Sequence, residues 1–161
     1  VIYSGSKAIE GPASGFITRK KELIKNCKLQ YKGIGRAMKV DKGVIMSLLS
    51  ALEQYSLKDE AGIERANKKK AELLAEELKS IKGTEISVVK DEAGREIYRT
   101  EMKLLDTKLN AEELIKELEG GNPAIYTRNY YKNQGKIHFD MRSVDEKEIG
   151  NIFKRITEIL G

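Results

Sequence analysis

After Gly83 the hydrophobic period of this chain changes, and that change limits its possible folds more than any other feature. From Ile63 to Ile81, Leu73, Leu74 and Leu78 recur among alternating lysines and glutamates, the pattern of an amphipathic helix with one wet face. Beyond the glycine, Thr84–Val89 and Glu96–Leu104 read as two strands joined by a turn at Asp91–Gly94. The second alternates over several residues, as a half-buried antiparallel strand does. Asn110 is placed to cap a helix over Ala111–Leu118, and Glu113, three positions on, completes a capping-box pattern. Gly120-Gly121-Asn122-Pro123 ends that helix. Ala124–Arg128 and Lys136–Met141 are two further expected strands, and Asp145 opens a final amphipathic helix through Ile149, Ile152, Phe153, Ile156 and Leu160. Helix, strand, strand, helix, strand, strand, helix describes an α+β domain with an antiparallel sheet and helices on one face.

The chain ahead of this domain has a different texture. Val1-Ile2-Tyr3 is an apolar run that reads as a core strand. It ends in small residues around one lysine, Ser4-Gly5-Ser6-Lys7-Ala8, and a Gly11-Pro12 turn leads to a second β-like run, Gly15–Thr18. Lysine in such a turn can form a Schiff base with an aldehyde cofactor if burial or a neighbouring cation keeps its amine neutral. Glycine lets a flat ring approach the backbone, and the Ser4 hydroxyl can donate to a phosphate. The same residues taken alone also describe a solvated turn lysine. Lys20–Leu29 looks helical, with Leu23, Ile24 and Cys27 at helical spacing, and is expected to pack on the two strands before it. Residues 31–40 form an irregular basic stretch in which Gly33 and Gly35 free the backbone, and Arg36 and Lys39 offer cations to a carboxylate or phosphate, or to solvent. A third glycine is missing, so this is no dinucleotide fingerprint. Asp41 can cap the next helix, with Val44, Ile45, Leu48, Leu49 and Leu52 as its apolar stripe through to Tyr55, and residues 56–62 read as a short polar break.

Charge adds less than its total suggests. The net charge is +5, with 30 basic residues interleaved among 25 acidic ones. Lys68-Lys69-Lys70 is flanked by Glu64, Glu72, Glu76 and Glu77, which favours a solvated helix face over a nucleic-acid patch. The single cysteine, Cys27, can form no internal disulfide and is expected to pack on a helix face, in keeping with a reducing cytoplasm. No run approaches the roughly 20 apolar residues of a membrane helix. In the C-terminal domain, Arg128 stands at the end of a short expected strand among aromatics and can present a rigid fork to a substrate carboxylate, with Tyr126 lining the same mouth and Arg142 in reserve. An ordinary surface arginine is the other reading of Arg128. The only histidine, His138, has no partner at metal-ligand spacing and reads as structural, so no metal site is expected.

The segments SGSKAIEGPASGFI, QYKGIGRAMKVDK, DEAGREIYR and NPAIYTRNYYKNQG, colinear over nearly the whole chain, resemble the C-terminal half of a fold type I pyridoxal 5'-phosphate (PLP) enzyme. They are most similar to the D-glucosaminate-6-phosphate ammonia-lyase group, which is related to the bacterial L-seryl-tRNA selenium transferases. The resemblance implies an α/β chain overall. Residues 1–40 would be the C-terminal remnant of the large PLP-binding domain, 41–62 the linking helix, and 63–161 the small α+β domain with its antiparallel sheet. The chain opens inside an apolar run, so a fragment of a longer protein is expected, inactive alone, without the acid that pairs the pyridine nitrogen and most of the phosphate cup. Lys7 is implied as the Schiff-base lysine, Ser4 as a cofactor contact, and Arg128, Tyr126, Arg36 and Lys39 as substrate contacts. The implied reaction is α,β-elimination from an amino sugar acid such as D-glucosaminate 6-phosphate, giving a 2-keto-3-deoxy acid and ammonia. Selenium transfer to L-seryl-tRNA, with tRNA as partner, is the alternative, and a non-catalytic folded module is a third. A cytoplasmic homodimer or larger homo-oligomer, away from membranes, completes these expectations.

Overall fold

A computed structural model describes residues Val1–Gly161. The backbone divides into two units, Val1–Asp59 and Glu60–Gly161.

The second unit holds nearly all of the core. Its three strands, β3 (Thr84–Lys90), β4 (Tyr98–Leu104) and β5 (Lys136–Asp140), form an antiparallel sheet in the order β3-β4-β5. Register decides which side chains share a face. Ile86 lies opposite Met102, Val88 opposite Thr100, and these in turn lie opposite Ile137 and Phe139. All six therefore point to one side, where Met102, Ile137 and Phe139 are buried with leucines and isoleucines of three helices. Those helices are α3 (Glu60–Leu78), α4 (Ala111–Glu119) and α5 (Glu146–Leu160). Thr100 is the polar exception on this face, and its Oγ1 donates to the Ala71 carbonyl of α3 at 2.8 Å. The odd-numbered β4 residues Arg99, Glu101 and Lys103 share the opposite, open face with Lys136, His138 and Asp140. A mixed α/β chain with antiparallel sheets and helices on one face is thus what the alternation predicts.

Helix boundaries follow local chemistry. Asn110 and Asp145 begin α4 and α5 with complete capping boxes, each side-chain oxygen accepting the N–H three residues on while Glu113 or Glu148 accepts the cap's own N–H. The polar break expected over residues 56–62 shrinks to 57–59, because Ser56 stays helical by donating to the Glu53 carbonyl at 2.7 Å and α3 already begins at Glu60. An acid suits that first turn. At the other end α3 stops at Leu78, short of Ile81, and the chain turns through Gly83 at a φ of 77°, where a Cβ would stand 1.9 Å from the Asp106 carbonyl oxygen. The expected strand over Ala124–Arg128 does not form. The Ile125 N–H caps Leu118 at the end of α4 at 2.9 Å, pulling the segment off the sheet, and only Arg128 pairs with β5, through His138.

The first unit is thinly packed. β1 (Ile2–Ser4) and β2 (Gly15–Ile17) pair as a two-stranded antiparallel ribbon with Tyr3 and Phe16 stacked at 5.0 Å. The expectation of a core strand fails here, since Ile2 is 78% exposed; within this unit the ribbon has no third strand to pair with. Helix α1 (Lys21–Leu29) buries no residue, and Cys27 is exposed rather than packed on its face. Two 3-10 turns, Gln30–Lys32 and Ile34–Met38, occupy the irregular stretch. Helix α2 (Lys42–Ser56) is capped by Asp41, whose Oδ1 accepts the Val44 N–H at 3.0 Å, and carries the unit's one buried apolar side chain, Leu48.

Candidate functional site

The turn after β1 is closed by backbone bonds. The Gly5 N–H donates to the Ser14 carbonyl at 2.8 Å, the Gly11 N–H to the Gly5 carbonyl at 2.8 Å, and the Glu10 N–H to the Lys7 carbonyl at 2.8 Å. Gly5 is closely packed in this arrangement. A Cβ there would lie 2.5 Å from Ser14 Oγ and 2.9 Å from Leu48 Cδ1, so the turn sits directly on α2. The Lys58–Glu10 ion pair at 2.9 Å adds a second tie to the chain after α2. Lys7 is exposed in the turn between Ser6 and Ala8, and the exposed Ser4 ends β1 three residues earlier. The accessible Lys7 amine, the Ser4 hydroxyl near it in sequence and the small flanking side chains leave room for a lysine-bound aldehyde cofactor, but Lys7 is exposed, so burial does not supply the neutral amine that the sequence reading asked for. Arg36 and Lys39 are exposed in and just after the second 3-10 turn of the same unit.

In the second unit a cavity of about 490 Å³ lies on the open face of the sheet, and Arg128 lines it. Arg128 is fixed at the edge of β5 by its backbone, whose N–H donates to the His138 carbonyl at 2.9 Å and whose carbonyl accepts the His138 N–H at 3.2 Å. Tyr126 does not share this mouth. It is 79% exposed and lines a separate cleft with Met141 and Val144, because the segment is not a strand and strand periodicity does not apply to it.

The charged part of the cavity wall belongs to an ion-pair network that continues beyond it to Arg95, Asp140 and Arg142. Glu101 accepts from Lys136 Nζ at 3.1 Å and contacts His138 Nε2 at 2.8 Å. Burial pushes the Glu101 carboxyl up, but the bonds from His138 and Lys136 outweigh it and hold the group below its ordinary value. The Asp91 carboxyl is held well below the usual range by Arg95 first and by Arg99. Asp140 is likewise lowered, its burial overcome by Arg142 and Arg99. Arg142 spends its fork on Asp140, with Nε and Nη2 each at 2.9 Å, so the reserve carboxylate ligand is already occupied. His138, read as structural, is a wall of the cavity bonded to Glu101.

Two wall residues, Arg99 and Glu101, escaped the sequence reading. Their signal was present in the alternation Arg99, Glu101, Lys103 against Thr100, Met102, Leu104. What was missing was the register that sets them against Asp140, His138 and Lys136.

Comparison with known proteins adds a family. A family profile described as L-seryl-tRNA selenium transferase matches residues 1–145. D-glucosaminate-6-phosphate ammonia lyase of Salmonella typhimurium is 40% identical over 161 residues, covering 99% of this chain and 42% of that protein. A 5'-C-glycyluridine monooxygenase-decarboxylase of a Streptomyces species is 32% identical over 99% of the chain and 41% of its own length. Among solved structures, a D-glucosaminate-6-phosphate ammonia-lyase matches with a TM-score of 0.74 at 40% identity, covering 99% of this chain and 42% of that one. The chain therefore spans about two fifths of the length of these relatives.

Proposed function

The chain belongs to the L-seryl-tRNA selenium transferase family, and on that premise we propose that it forms the lysine-bearing C-terminal part of a PLP-dependent lyase. The substrate would be an amino sugar acid such as D-glucosaminate 6-phosphate, and the products a 2-keto-3-deoxy acid and ammonia. The single observation that carries this reading is the tight turn holding Lys7, in a chain 40% identical to an ammonia-lyase along its length. PLP, when bound, supplies an electron sink that makes the substrate Cα proton removable. The chain's own residues do the rest. Lys7 Nζ would hold the cofactor and, once displaced by the substrate amine, would take the Cα proton. Lys7, carrying that proton, would pass it to the hydroxyl on the neighbouring carbon, which would leave as water, and water would hydrolyse the resulting imine to the keto acid and ammonia. Ser4 donates to the cofactor phosphate. Arg128 grips the substrate carboxylate, a role supported by its unpaired guanidinium on the cavity wall. Arg36 and Lys39 serve the substrate phosphate, and Tyr126, on its separate cleft, has no assigned contact. Residues 1–40, 41–62 and 63–161 act as large-domain remnant, linker and small domain of a cytoplasmic homo-oligomer, and residues 1–161 alone turn over nothing.

The family profile supports a second reading, selenium transfer on L-seryl-tRNA, which shares the elimination step. Assaying the intact protein with each substrate separates the two. Keto acid and ammonia from D-glucosaminate 6-phosphate, lost in Lys7→Ala, are expected. Selenocysteinyl-tRNA formation without lyase turnover would replace the first reading with the second.

A further inference from the structure

The turn that carries Lys7 contains the one non-glycine residue of the chain with a positive φ, Glu10 at 58°. Left-handed backbone crowds the Cβ of an L residue, so glycine is what such a position ordinarily takes. A glutamate persists in it only where its surroundings hold it. The backbone on both sides is committed. The Glu10 N–H donates to the Lys7 carbonyl at 2.8 Å, and the Gly11 N–H to the Gly5 carbonyl at 2.8 Å. Gly11 is pressed against α2, where a Cβ would stand 3.1 Å from Ala51 Cβ. Between these two fixed points the chain reverses at Glu10.

The side chain is held as well. Glu10 Oε2 lies 2.9 Å from Lys58 Nζ. Lys58 follows the end of α2, where its N–H donates to the Tyr55 carbonyl at 3.2 Å and its ammonium stands 6.0 Å from the Tyr55 ring centroid. A helix C-terminus and an aromatic face both favour a cation there. The Lys58 side chain is 29% exposed against 72% for Glu10, so the lysine is the better anchored of the two. An ion pair this open adds little to global stability. Its leverage is local: it ties the turn of Lys7 to residues 57–59, the segment between α2 and α3.

We propose that Glu10 is a positioning residue for Lys7: held by Lys58 in a left-handed conformation, it fixes the Lys7 carbonyl, and with it the point from which the lysine side chain leaves the turn. Lys7 is exposed between the small residues Ser6 and Ala8, so the backbone is what sets its course. The importance of that course to Lys7 as a nucleophile rests on the family reading given above, whereas the tether itself does not.

The first test is amide hydrogen exchange in the chain Val1–Gly161, comparing wild type, Lys58→Met, and Lys58→Met combined with Glu10→Gly. Lys58→Met is expected to speed exchange of the residue 10 N–H about threefold, the scale of one exposed ion pair. The double variant is expected to return to the wild-type rate, because glycine adopts this φ without a tether. The second test reads Lys7 itself, as the rate at which borohydride traps an adduct on Lys7 of the intact protein at limiting PLP. That rate should fall about threefold in Lys58→Met and recover in the double variant. Faster exchange with unchanged trapping would confine the tether to the fold and overturn the positioning role. Wild-type exchange in Lys58→Met, or a loss that Glu10→Gly does not restore, would overturn the tether. An intact wild-type protein with no adduct on Lys7 would overturn the family reading, while the exchange rates still decide the tether.

Discussion

At the scale of single residues, the account rests on charges that are paired and one that is not. Arg128 is unpaired, so removing it should leave the fold intact and remove binding. In the intact enzyme, Arg128→Ala is expected to lower kcat/KM for the amino sugar acid by about 10- to 100-fold, the loss of a charge-assisted bond. Steady-state kinetics at wild-type level would contradict the carboxylate role. Glu101 is the opposite case, an acid committed to Lys136 and His138. Its folded carboxyl sits below its ordinary value of 4.5. The stability it contributes is therefore complete above that value and lost as pH falls through the lowered folded value. Asp140, lowered from 3.8, acts in the same direction. Glu101→Gln should make urea unfolding less sensitive to the step from neutral to acid pH, by reducing stability at neutral pH. An unchanged acid limb would mean that the Glu101 contacts do not stabilise the fold.

At the scale of elements, most of the second unit could be read from the sequence, and the reasons are local. The capping boxes at Asn110 and Asp145 and the stripes of α3, α4 and α5 are short-range patterns, and the structure reproduces them except at Leu73, which is 41% exposed. Asn110→Ala removes the bond from the Glu113 N–H at 3.0 Å and should cost about 1 kcal/mol in denaturant unfolding. Thr100→Val, at a fully buried position, removes the hydroxyl bond to the Ala71 carbonyl, which keeps its own helical partner in α3, and should cost about 1 kcal/mol. Stability unchanged in both would show that these bonds contribute nothing net. The misreadings come from longer range. Ala124–Arg128 has strand composition, but the end of α4 claims the Ile125 N–H through the Leu118 carbonyl, a competition that strand composition alone does not reveal. The site divides the same way. Arg128 could be noticed for its aromatic neighbours, whereas Arg99 joins the cavity wall only once register sets it against Asp140.

At the scale of the whole molecule, the two units differ in how much they bury. Glu60–Gly161 has a continuous core, while Val1–Asp59 buries only Leu48 among its apolar side chains and leaves Ile34 88% exposed. Amide hydrogen exchange on Val1–Gly161 should therefore find slow exchange in β4, α4 and α5 and markedly faster exchange in β1, β2 and α1. Equal protection in both units would contradict that division. The central claim, however, concerns Lys7, the residue on which the chemistry of the family reading depends. Its most direct test is borohydride reduction of the intact protein supplied with PLP, followed by peptide mapping, with Val1–Gly161 as the control. The account predicts one reduced adduct, on Lys7 of the intact protein; no adduct there, or adducts scattered over many lysines, would contradict it.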